Sequence, residues 1–420
     1  MNPVTIALEL IDSIMKDTTI TWRDNSMYLT YGPKVINGVE TDDYSIIFHV
    51  KDKKPLDELL PEQIIPSSFT MDDFDIISDV QIGELCSFYP ADCHDRTTFN
   101  AEPIATNRRR TRPLKGGSSS INSYEGGYVA TLGLLARDKS DGQIVAVSNN
   151  HVFAGSTLHP SYQSTFSNVL PLCAIQPAYE NTSYRTNNDY IGTVKKFVPV
   201  GDVDYTKYTL NGYPHLQYTS SDSAVVSLTS YGIIDSSSAG IVGFDPAPPY
   251  PFATDAEIDS LLDPSSVNYA APVFRSGRTC GPVGYPGNTY SCSLSAYQFG
   301  QAYVGLYSGH TSYFLNSIYL RGNVTSGRGG DSGSPVLAYI NGTWKVIGLF
   351  FAGPSDVSYG IVCRITSVAS KLNLTHWDTK MPTVSAVYRL QNINALDYGS
   401  ANDASYFTLS GRKYFFVARY

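Results

Sequence analysis

The sequence predicts a mainly β fold, preceded by an α/β segment and followed by a short β extension. Charged residues make up 16% of the chain, below the roughly 25% of ordinary soluble domains. Tyrosine (31) and glycine (34) are abundant instead, which is typical of strands joined by tight turns. Short apolar runs at 127–133, 144–147 and 224–228 alternate with turn residues, a spacing that indicates a barrel or sandwich.

The chain is too long, at 420 residues, for a single hydrophobic core, so several domains are expected. A polar, basic and Gly/Ser-rich stretch at 101–120 marks one boundary. A Pro-rich stretch at 236–268, with a short helix expected at 255–262, connects two β-lobes. The predicted domains are an N-terminal α/β domain with a basic linker (1–115), a central domain (116–375) with lobes at about 118–235 and 270–372, and a C-terminal extension (376–420).

Local patterns predict the elements at the two ends of the chain. Apolar residues recur at helical spacing between residues 6 and 15, which predicts an amphipathic helix. His49 lies in an apolar strand and is interpreted as a core residue. In the tail, residues 410–412 are expected to turn between two strands of a hairpin. Further strands are expected at 27–31, 44–50, 74–80, 405–409 and 413–417, and a further short helix at 55–60.

Charge and composition argue against several functional classes. The net charge of −8 makes the chain a poor partner for nucleic acid. Its one strongly basic cluster, at 108–112, is interpreted as a solvated linker, with anion binding as the alternative. No apolar run is long enough for a membrane span, and no secretory signal is apparent, so we expect a cytoplasmic location in the producing cell.

Cysteine spacing points to neither a metal site nor a disulfide framework. The six cysteines form no C-x-x-C pair, so no metal is expected, and no other cofactor is implied. Reduced thiols are expected in a cytosolic protein. A bridge between Cys280 and Cys292 is the alternative.

Three segments carry residues suited to acyl transfer. The sequence GGDSGSP at 329–335 places Ser332 in a glycine-rich turn, where a hydroxyl is accessible and backbone N–H groups can face an oxyanion. A serine needs a base, and an apolar strand ends at His151. Asp222 directly precedes another apolar strand and is the preferred carboxylate for orienting the imidazole. Asp189, Asp202 and Asp204 are the alternatives in the same interval.

These segments resemble elements of the trypsin-like serine peptidases. Residues 329–335 resemble the GDSGGP nucleophile loop, with Ser334 replacing a glycine, and 148–152 resemble the SNNHV form found in bacterial and phage members. Residues 222–226 resemble the D-x-A-hydrophobic element. Residues 274–281 resemble the RSGRTTG strand of α-lytic-type peptidases, with Cys280 replacing a threonine. The resemblance covers roughly 116–372.

The resemblance implies a chymotrypsin-like double β-barrel with a His151–Asp222–Ser332 triad. It places the oxyanion donors at the N–H groups of Gly330 and Ser332. It also implies an ion pair between Arg275 and Asp331, which removes the need for zymogen cleavage. The resemblance further implies a specificity pocket with its floor at Ser326 and its walls at Gly353 and Gly360. Since Ser326 is not a carboxylate, preference for apolar or small side chains is expected.

The functional expectation is therefore a serine endopeptidase acting on protein or peptide substrates. The alternative is a non-catalytic structural or binding protein, for example of a phage virion, that reuses the peptidase fold. A third reading is an intracellular bacterial peptidase held in a larger assembly, such as a phage particle. Covalent labelling of Ser332 by a fluorophosphonate separates the enzyme from the binding protein.

Overall fold

The computed structural model shows a mainly β protein with two large sheets, one of them curled into a half-barrel. The residues that it describes are 3–17, 19–22, 26–84, 86–88, 91–92, 106–123, 128–155, 173–178, 189–203, 217–229, 234, 236–244, 246, 248–284, 295–305, 311–321, 329–354, 359–377, 404–409 and 412–417.

The strands are short and follow one another closely. The first eight are β1 (Ser26–Ile36), β2 (Val39–Val50), β3 (Ser68–Met71), β4 (Phe74–Ile82), β5 (Cys86–Phe88), β6 (Ala91–Asp92), β7 (Ser119–Asn122) and β8 (Tyr128–Thr131). The next eight are β9 (Leu134–Asp138), β10 (Ile144–Ser148), β11 (Cys173–Ile175), β12 (Tyr190–Phe197), β13 (Gln217–Thr219), β14 (Ala224–Leu228), β15 (Val273–Gly277) and β16 (Gly281–Val283). The last eight are β17 (Ser295–Gly305), β18 (Thr311–Arg321), β19 (Pro335–Ile340), β20 (Thr343–Gly353), β21 (Tyr359–Arg364), β22 (Leu374–His376), β23 (Ala404–Leu409) and β24 (Arg412–Val417).

The helices are few and mostly short in the described part of the chain. They are α1 (Pro3–Lys16), α2 (Asn150–Phe153), α3 (Asp255–Asp259) and α4 (Ile365–Leu372). The amphipathic pattern predicted α1 correctly, and its apolar face, including Ile6, Ile11 and Ile14, is buried. The helix expected at 55–60 is instead a 3-10 turn, Leu56–Glu58, followed by a second, Pro61–Gln63. Pro61 disfavours helical geometry in the residue before it, so a helix cannot continue through this point.

Strand pairing divides the described strands between two sheets and a separate hairpin. The larger sheet has thirteen strands in the order β16-β15-β19-β20-β21-β18-β17-β1-β2-β4-β3, with β13 beside β18 and β5 beside β17 and β20. The smaller sheet has nine strands in the order β22-β9-β10-β14-β12-β11-β7-β8-β6. The hairpin pairs β23 with β24 as the sequence predicts.

The N-terminal strands extend the larger sheet. β1 pairs antiparallel with β17, with Thr30 opposite Gly300 and Tyr31 opposite Phe299. Contacts group Met1–Asp378 as one compact unit and Thr379–Tyr420 as a second. The domain limits expected near residues 115 and 375 stay predictions.

The smaller sheet is buried on both of its faces. Val145 and Val147 of β10 join the core that includes the larger sheet, whereas Ala146 between them joins a second core. In β14 the same alternation sends Val225 to the first core and Val226 to the second. Burial on both faces explains why these strands are continuous apolar runs. It also brings the ends of β10 and β14 against the larger sheet.

None of the helices in the described ranges is both long enough and apolar enough to cross a lipid bilayer.

Candidate active site

The loop that carries Ser332 is a tight turn between the two sheets. Gly330 and Gly333 have φ values of +94° and +90°, a left-handed conformation that favours glycine. The Gly333 N–H donates to the carbonyl of Phe350 at 2.8 Å, which ties the loop to β20. A Cβ on Gly333 would lie 2.1 Å from the carbonyl oxygen of Thr131, so a larger residue does not fit there. The backbone at Ser332 is therefore fixed on both sides.

Asp331 points into the larger sheet, where Arg275 neutralises it. Nη1 of Arg275 lies 3.1 Å from Oδ2 of Asp331, and both side chains are fully buried. The N–H groups of Thr279 and Cys280 donate to Oδ1 at 2.9 and 3.0 Å. The structure thus brings together the two residues expected to form the ion pair, within the 4 Å limit of a salt bridge.

Burial and hydrogen bonding act in opposite directions on this carboxylate. Burial alone would raise the pKa of Asp331, but the Arg275 guanidinium and the N–H groups of Thr279 and Cys280 outweigh it and hold the pKa below its usual range.

The ion pair is also closely packed. The guanidinium carbon of Arg275 lies 4.7 Å from the ring centre of Phe350. A Cβ on Gly277 would lie 2.3 Å from Oδ1 of Asp331, so the glycine after Arg275 and Ser276 leaves room for the carboxylate.

His151 lies in α2, directly after β10, and its partner is Asp222. Because Ser148 pairs with Ala224, the antiparallel strands β10 and β14 place residues 149–151 beside residue 222. Oδ1 of Asp222 accepts the backbone N–H of His151 at 3.1 Å, and Oδ2 contacts the ring Nδ1. The imidazole is therefore oriented by both oxygens of one carboxylate, and the ring and carboxylate are almost completely buried.

The two asparagines before His151 hold the same corner. Nδ2 of Asn149 donates to the carbonyl of Asp222 at 2.7 Å, and Nδ2 of Asn150 donates to the carbonyl of Val198 at 2.5 Å. From the other side, the Asp222 N–H donates to Sγ of Cys363 on β21 at 3.1 Å. Burial, followed by the nearby Asp222 carboxylate, raises the pKa of the Cys363 thiol, so it stays protonated.

Two of the three alternative carboxylates have other partners. Asp189 accepts Nε of Arg110 at 3.0 Å, and Oδ2 of Asp202 lies 2.9 Å from Nζ of Lys371. Asp204 lies outside the described residues. Among the described carboxylates in this interval, Asp222 is the one that contacts His151. Arg109 and Arg110 are exposed, as expected of a solvated segment, but Arg110 also pairs with Asp189 and Arg112 donates to the carbonyl of Gln176, so the 108–112 cluster contacts the folded chain.

Thr131 at the end of β8 joins the two halves of the site. Its N–H donates to the carbonyl of Ser332 at 2.9 Å, and its Oγ1 donates to the carbonyl of Gly330 at 2.9 Å. Its own carbonyl accepts Oγ of Ser148, three residues before His151, at 2.7 Å. Sequence reasoning did not single out Thr131. The available signal was its position at the end of an apolar strand, which many residues share.

The hydroxyl of Ser332 is covered in this structure. Oγ donates to the carbonyl of Phe351 on β20 at 3.3 Å, and the side chain is fully buried.

Two of the three residues expected to form the specificity pocket are among the described ones. Gly353, two residues beyond Phe351 on β20, pairs with Ser87 of β5. A Cβ on Gly360 would lie 2.2 Å from the Phe350 ring, so this glycine permits close packing. Ser326 lies outside the described residues, and the specificity pocket stays a prediction.

The structure brings Asp222 to His151, but Oγ of Ser332 donates to the carbonyl of Phe351 and makes no hydrogen bond with Nε2 of His151. The arrangement places a serine hydroxyl, a carboxylate-oriented imidazole and a glycine turn with backbone N–H groups where two sheets meet. These are the groups that acyl transfer requires. Among the described residues, no cluster of three or more His, Cys, Asp or Glu is placed to hold a metal ion. The alternative of a Cys280–Cys292 bridge involves Cys292, which lies outside the residues that the structure describes.

No protein-family model matches the chain, and no curated protein matches its sequence.

Proposed function

We propose that this chain is a trypsin-like serine endopeptidase, with Ser332 as nucleophile, His151 as general base and Asp222 as the carboxylate that orients the base. The observation that carries the proposal is the double contact of Asp222 with the ring and the backbone of His151. A carboxylate held this way fixes the tautomer and orientation of the imidazole. The Ser332 loop is anchored on Thr131, whose carbonyl also accepts Oγ of Ser148 at the end of the strand that leads to His151, and this supports the same assignment.

The proposed reaction proceeds through an acyl-enzyme. Oγ of Ser332 attacks the scissile carbonyl carbon while Nε2 of His151 accepts the hydroxyl proton. The N–H groups of Gly330 and Ser332 stabilise the oxyanion, and the imidazolium then protonates the leaving amine as the C–N bond breaks. Water attacks the resulting ester, gives its proton to His151, and releases the acid. The Ser332 hydroxyl is regenerated when the imidazolium returns that proton.

The fold that accompanies this function is a chymotrypsin-like double β-barrel. In a chymotrypsin-like double β-barrel, the first barrel would contain the strands β7 to β12 and β14, and the second the strands β15 to β21. His151 and Asp222 would come from the first barrel and Ser332 from the second. The burial of the smaller sheet against the core of the larger one supports this division, because it places the proposed triad at the boundary between them.

The residue at position 326 is expected to set the preference for the side chain before the scissile bond. No carboxylate occupies position 326, and an unpaired buried cation is costly, so apolar or small side chains are preferred before the scissile bond. A panel of peptides that differ only at that residue tests the preference. Efficient cleavage after Lys or Arg would contradict it.

The decisive experiment is covalent labelling with a fluorophosphonate, followed by peptide mapping of the modified residue. Labelling at Ser332 in the unaltered chain, with none in the Ser332→Ala variant, is the expected result. Incubation with a peptide library then identifies the cleaved bonds. A chain that is folded by circular dichroism but neither labels nor cleaves, both unaltered and with β5 displaced by Cys86→Asp, would contradict the peptidase and favour a binding protein.

A further inference from the structure

A short strand from the N-terminal region pairs with β20 beside the Ser332 hydroxyl. In β5, Ser87 lies opposite Gly353 and Phe88 lies opposite Ala352, in antiparallel register. The next residue back along β20 is Phe351, whose carbonyl accepts the Ser332 hydroxyl at 3.3 Å. β5 thus occupies the edge of β20 within one residue of the atom that contacts the proposed nucleophile.

The same segment then pairs with the other sheet, again close to Ser332. In β6, Ala91 lies opposite Val129 and Asp92 lies opposite Tyr128. β8 ends at Thr131, whose N–H binds the carbonyl of Ser332. Only two residues separate β5 from β6 in the sequence, so the Cα atoms of residues 88 and 91 lie within about 11 Å of each other. The two pairing sites therefore flank the loop that carries Ser332.

Sheet edges next to a nucleophile are where an extended peptide gains its backbone hydrogen bonds. Here the chain's own segment already occupies these edges. The complete burial of Ser332 and the 4% exposure of the His151 side chain agree with a covered site. We infer that β5 and β6 are built-in occupants of the peptide-binding edges on β20 and β8, which makes the intact chain autoinhibited. The inference rests on the proposed function for its catalytic consequence.

One buried side chain anchors the segment to the larger sheet. Cys86 is 1% exposed, and its Sγ lies 3.4 Å from Oη of Tyr359 on β21. The next side chain, Ser87, is exposed, as expected where successive side chains point to opposite faces. β5 has three residues and pairs with β17 as well as with β20, and β6 has two residues, so the backbone hydrogen bonds of the segment are confined to these short pairings. Such short elements open at a lower free energy than the rest of a fold.

The occupancy is tested by peptide binding in the inactive Ser332→Ala background. Cys86→Asp puts a carboxylate into the buried anchor position, which should expel β5 because an unpaired buried charge is costly. Ser87→Asp adds the same charge on the exposed side of the same strand and is the matched control. The probe is a fluorescent synthetic peptide with the sequence of residues 84–93, in which Cys93 is replaced by serine.

The Cys86→Asp chain should bind this peptide at least about tenfold more tightly than the Ser87→Asp chain, because the edges are vacant in a larger fraction of molecules. Thermal unfolding of both variants establishes that they are folded. Cys86→Ala, which removes the sulfur without adding charge, should tighten binding about threefold. Equal peptide affinity in Ser87→Asp and in whichever Cys86 variant is folded would overturn the inference.

The catalytic consequence is measured with Ser332 intact. Cys86→Asp should hydrolyse a peptide substrate at least about tenfold faster than Ser87→Asp. If fluorophosphonate labels Ser332 in both variants but they hydrolyse the peptide equally fast, autoinhibition is wrong and the peptidase stands. If peptide affinity changes as expected but Ser332 labels in no variant, the occupant is supported and the peptidase is wrong.

Discussion

Two buried carboxylates, one beside each sheet, are held by different kinds of partner. Asp222 contacts the ring Nδ1 of His151 and accepts its backbone N–H. Asp331 accepts from two backbone N–H groups and pairs with Arg275, whose charge is permanent. The same chemical group thus orients an imidazole ring on one side and fixes a backbone loop on the other.

Because the two carboxylates have different partners, replacing each of them should change a different property of the protein. Under the proposed function, loss of the contact between Asp222 and His151 should appear in turnover with little change in folding. On the Asp331 side, the interaction is between two fully buried charges, so its loss should appear first in stability. The following experiments separate these outcomes.

The largest effect is expected from the nucleophile and the base. Ser332→Ala and His151→Ala should each lower kcat by roughly 10⁴- to 10⁶-fold, and the double variant should be no worse, because the residues act as one unit. Steady-state peptide hydrolysis by Cys86→Asp, which should be the more active background, provides the range needed to measure such losses. Losses that multiply in the double variant would show that the two residues act independently.

Replacing Asp222 should have the next largest effect. Asp222→Asn keeps the shape but can no longer stabilise the imidazolium, and should lower kcat by roughly 10⁴-fold with little change in the unfolding midpoint. Asp202→Asn is the control, since Asp202 contacts Lys371 and Ser220 and does not contact His151. If the two variants lose activity equally, the assignment of Asp222 fails.

Sequence patterns predicted most local elements and the residues of the candidate site. The helix at α1, the strands β10 and β14, and the terminal hairpin follow from periodicity and turn residues, which act over short sequence distances. The pairing of β1 with β17 was not predicted, because strand periodicity shows which face is buried and not which strand lies alongside.

The residues of the candidate site also fall into those that local sequence motifs predict and those that they do not. His151, Asp222 and Ser332 stand in recognisable local motifs, and the sequence alone was enough to single them out. Thr131 and Cys363 were missed because their roles arise from contacts across the sheets. The bond from Thr131 to Gly330 spans 199 residues, and that from Asp222 to Cys363 spans 141. No local pattern reports such contacts.

Removing Arg275 should affect stability more than any surface substitution. Arg275→Met leaves the Asp331 carboxylate buried without its cation and should lower the free energy of unfolding by about 3–5 kcal/mol. Arg321→Met, which breaks the exposed pair with Glu40, should cost less than about 1 kcal/mol and is the matched control. Urea denaturation measures both. Adding Asp331→Asn to Arg275→Met should recover part of the loss, and equal losses for the two arginines would contradict a special role for Arg275.

Acid should remove the stabilisation that comes from Asp331. Since its pKa is lower in the folded chain than in the unfolded one, the contribution is fully present above the ordinary Asp pKa of about 4. It is lost as the pH falls through the folded-state pKa. Urea midpoints of the unaltered chain and of Asp331→Asn, measured from pH 7 down to pH 3, should therefore differ most at neutral pH and begin to converge below about pH 4. A difference independent of pH would mean that Asp331 does not carry the charge.

The smallest effect, and the one that probes how the two halves are joined, is expected at Thr131. Thr131→Val keeps the volume but leaves the Gly330 carbonyl and the Arg278 N–H without their hydroxyl partner. Unfolding free energy should fall by about 1–3 kcal/mol. We expect kcat to fall by about tenfold, equivalent to about 1.4 kcal/mol, because the Gly330 N–H loses its fixed position.

The pH dependence of activity in Thr131→Val distinguishes an effect on the Ser332 loop from an effect on the pair formed by Asp222 and His151. The substitution leaves the contacts between Asp222 and His151 intact, so the pH at which activity falls on the acid side should not change. Thr229→Val, at an exposed threonine just beyond the end of β14 in the same sheet, should leave both kcat and stability unchanged. A shifted acid limb would mean that Thr131 acts on the base through Ser148, and the two halves would then be coupled more tightly than the separate carboxylate networks suggest.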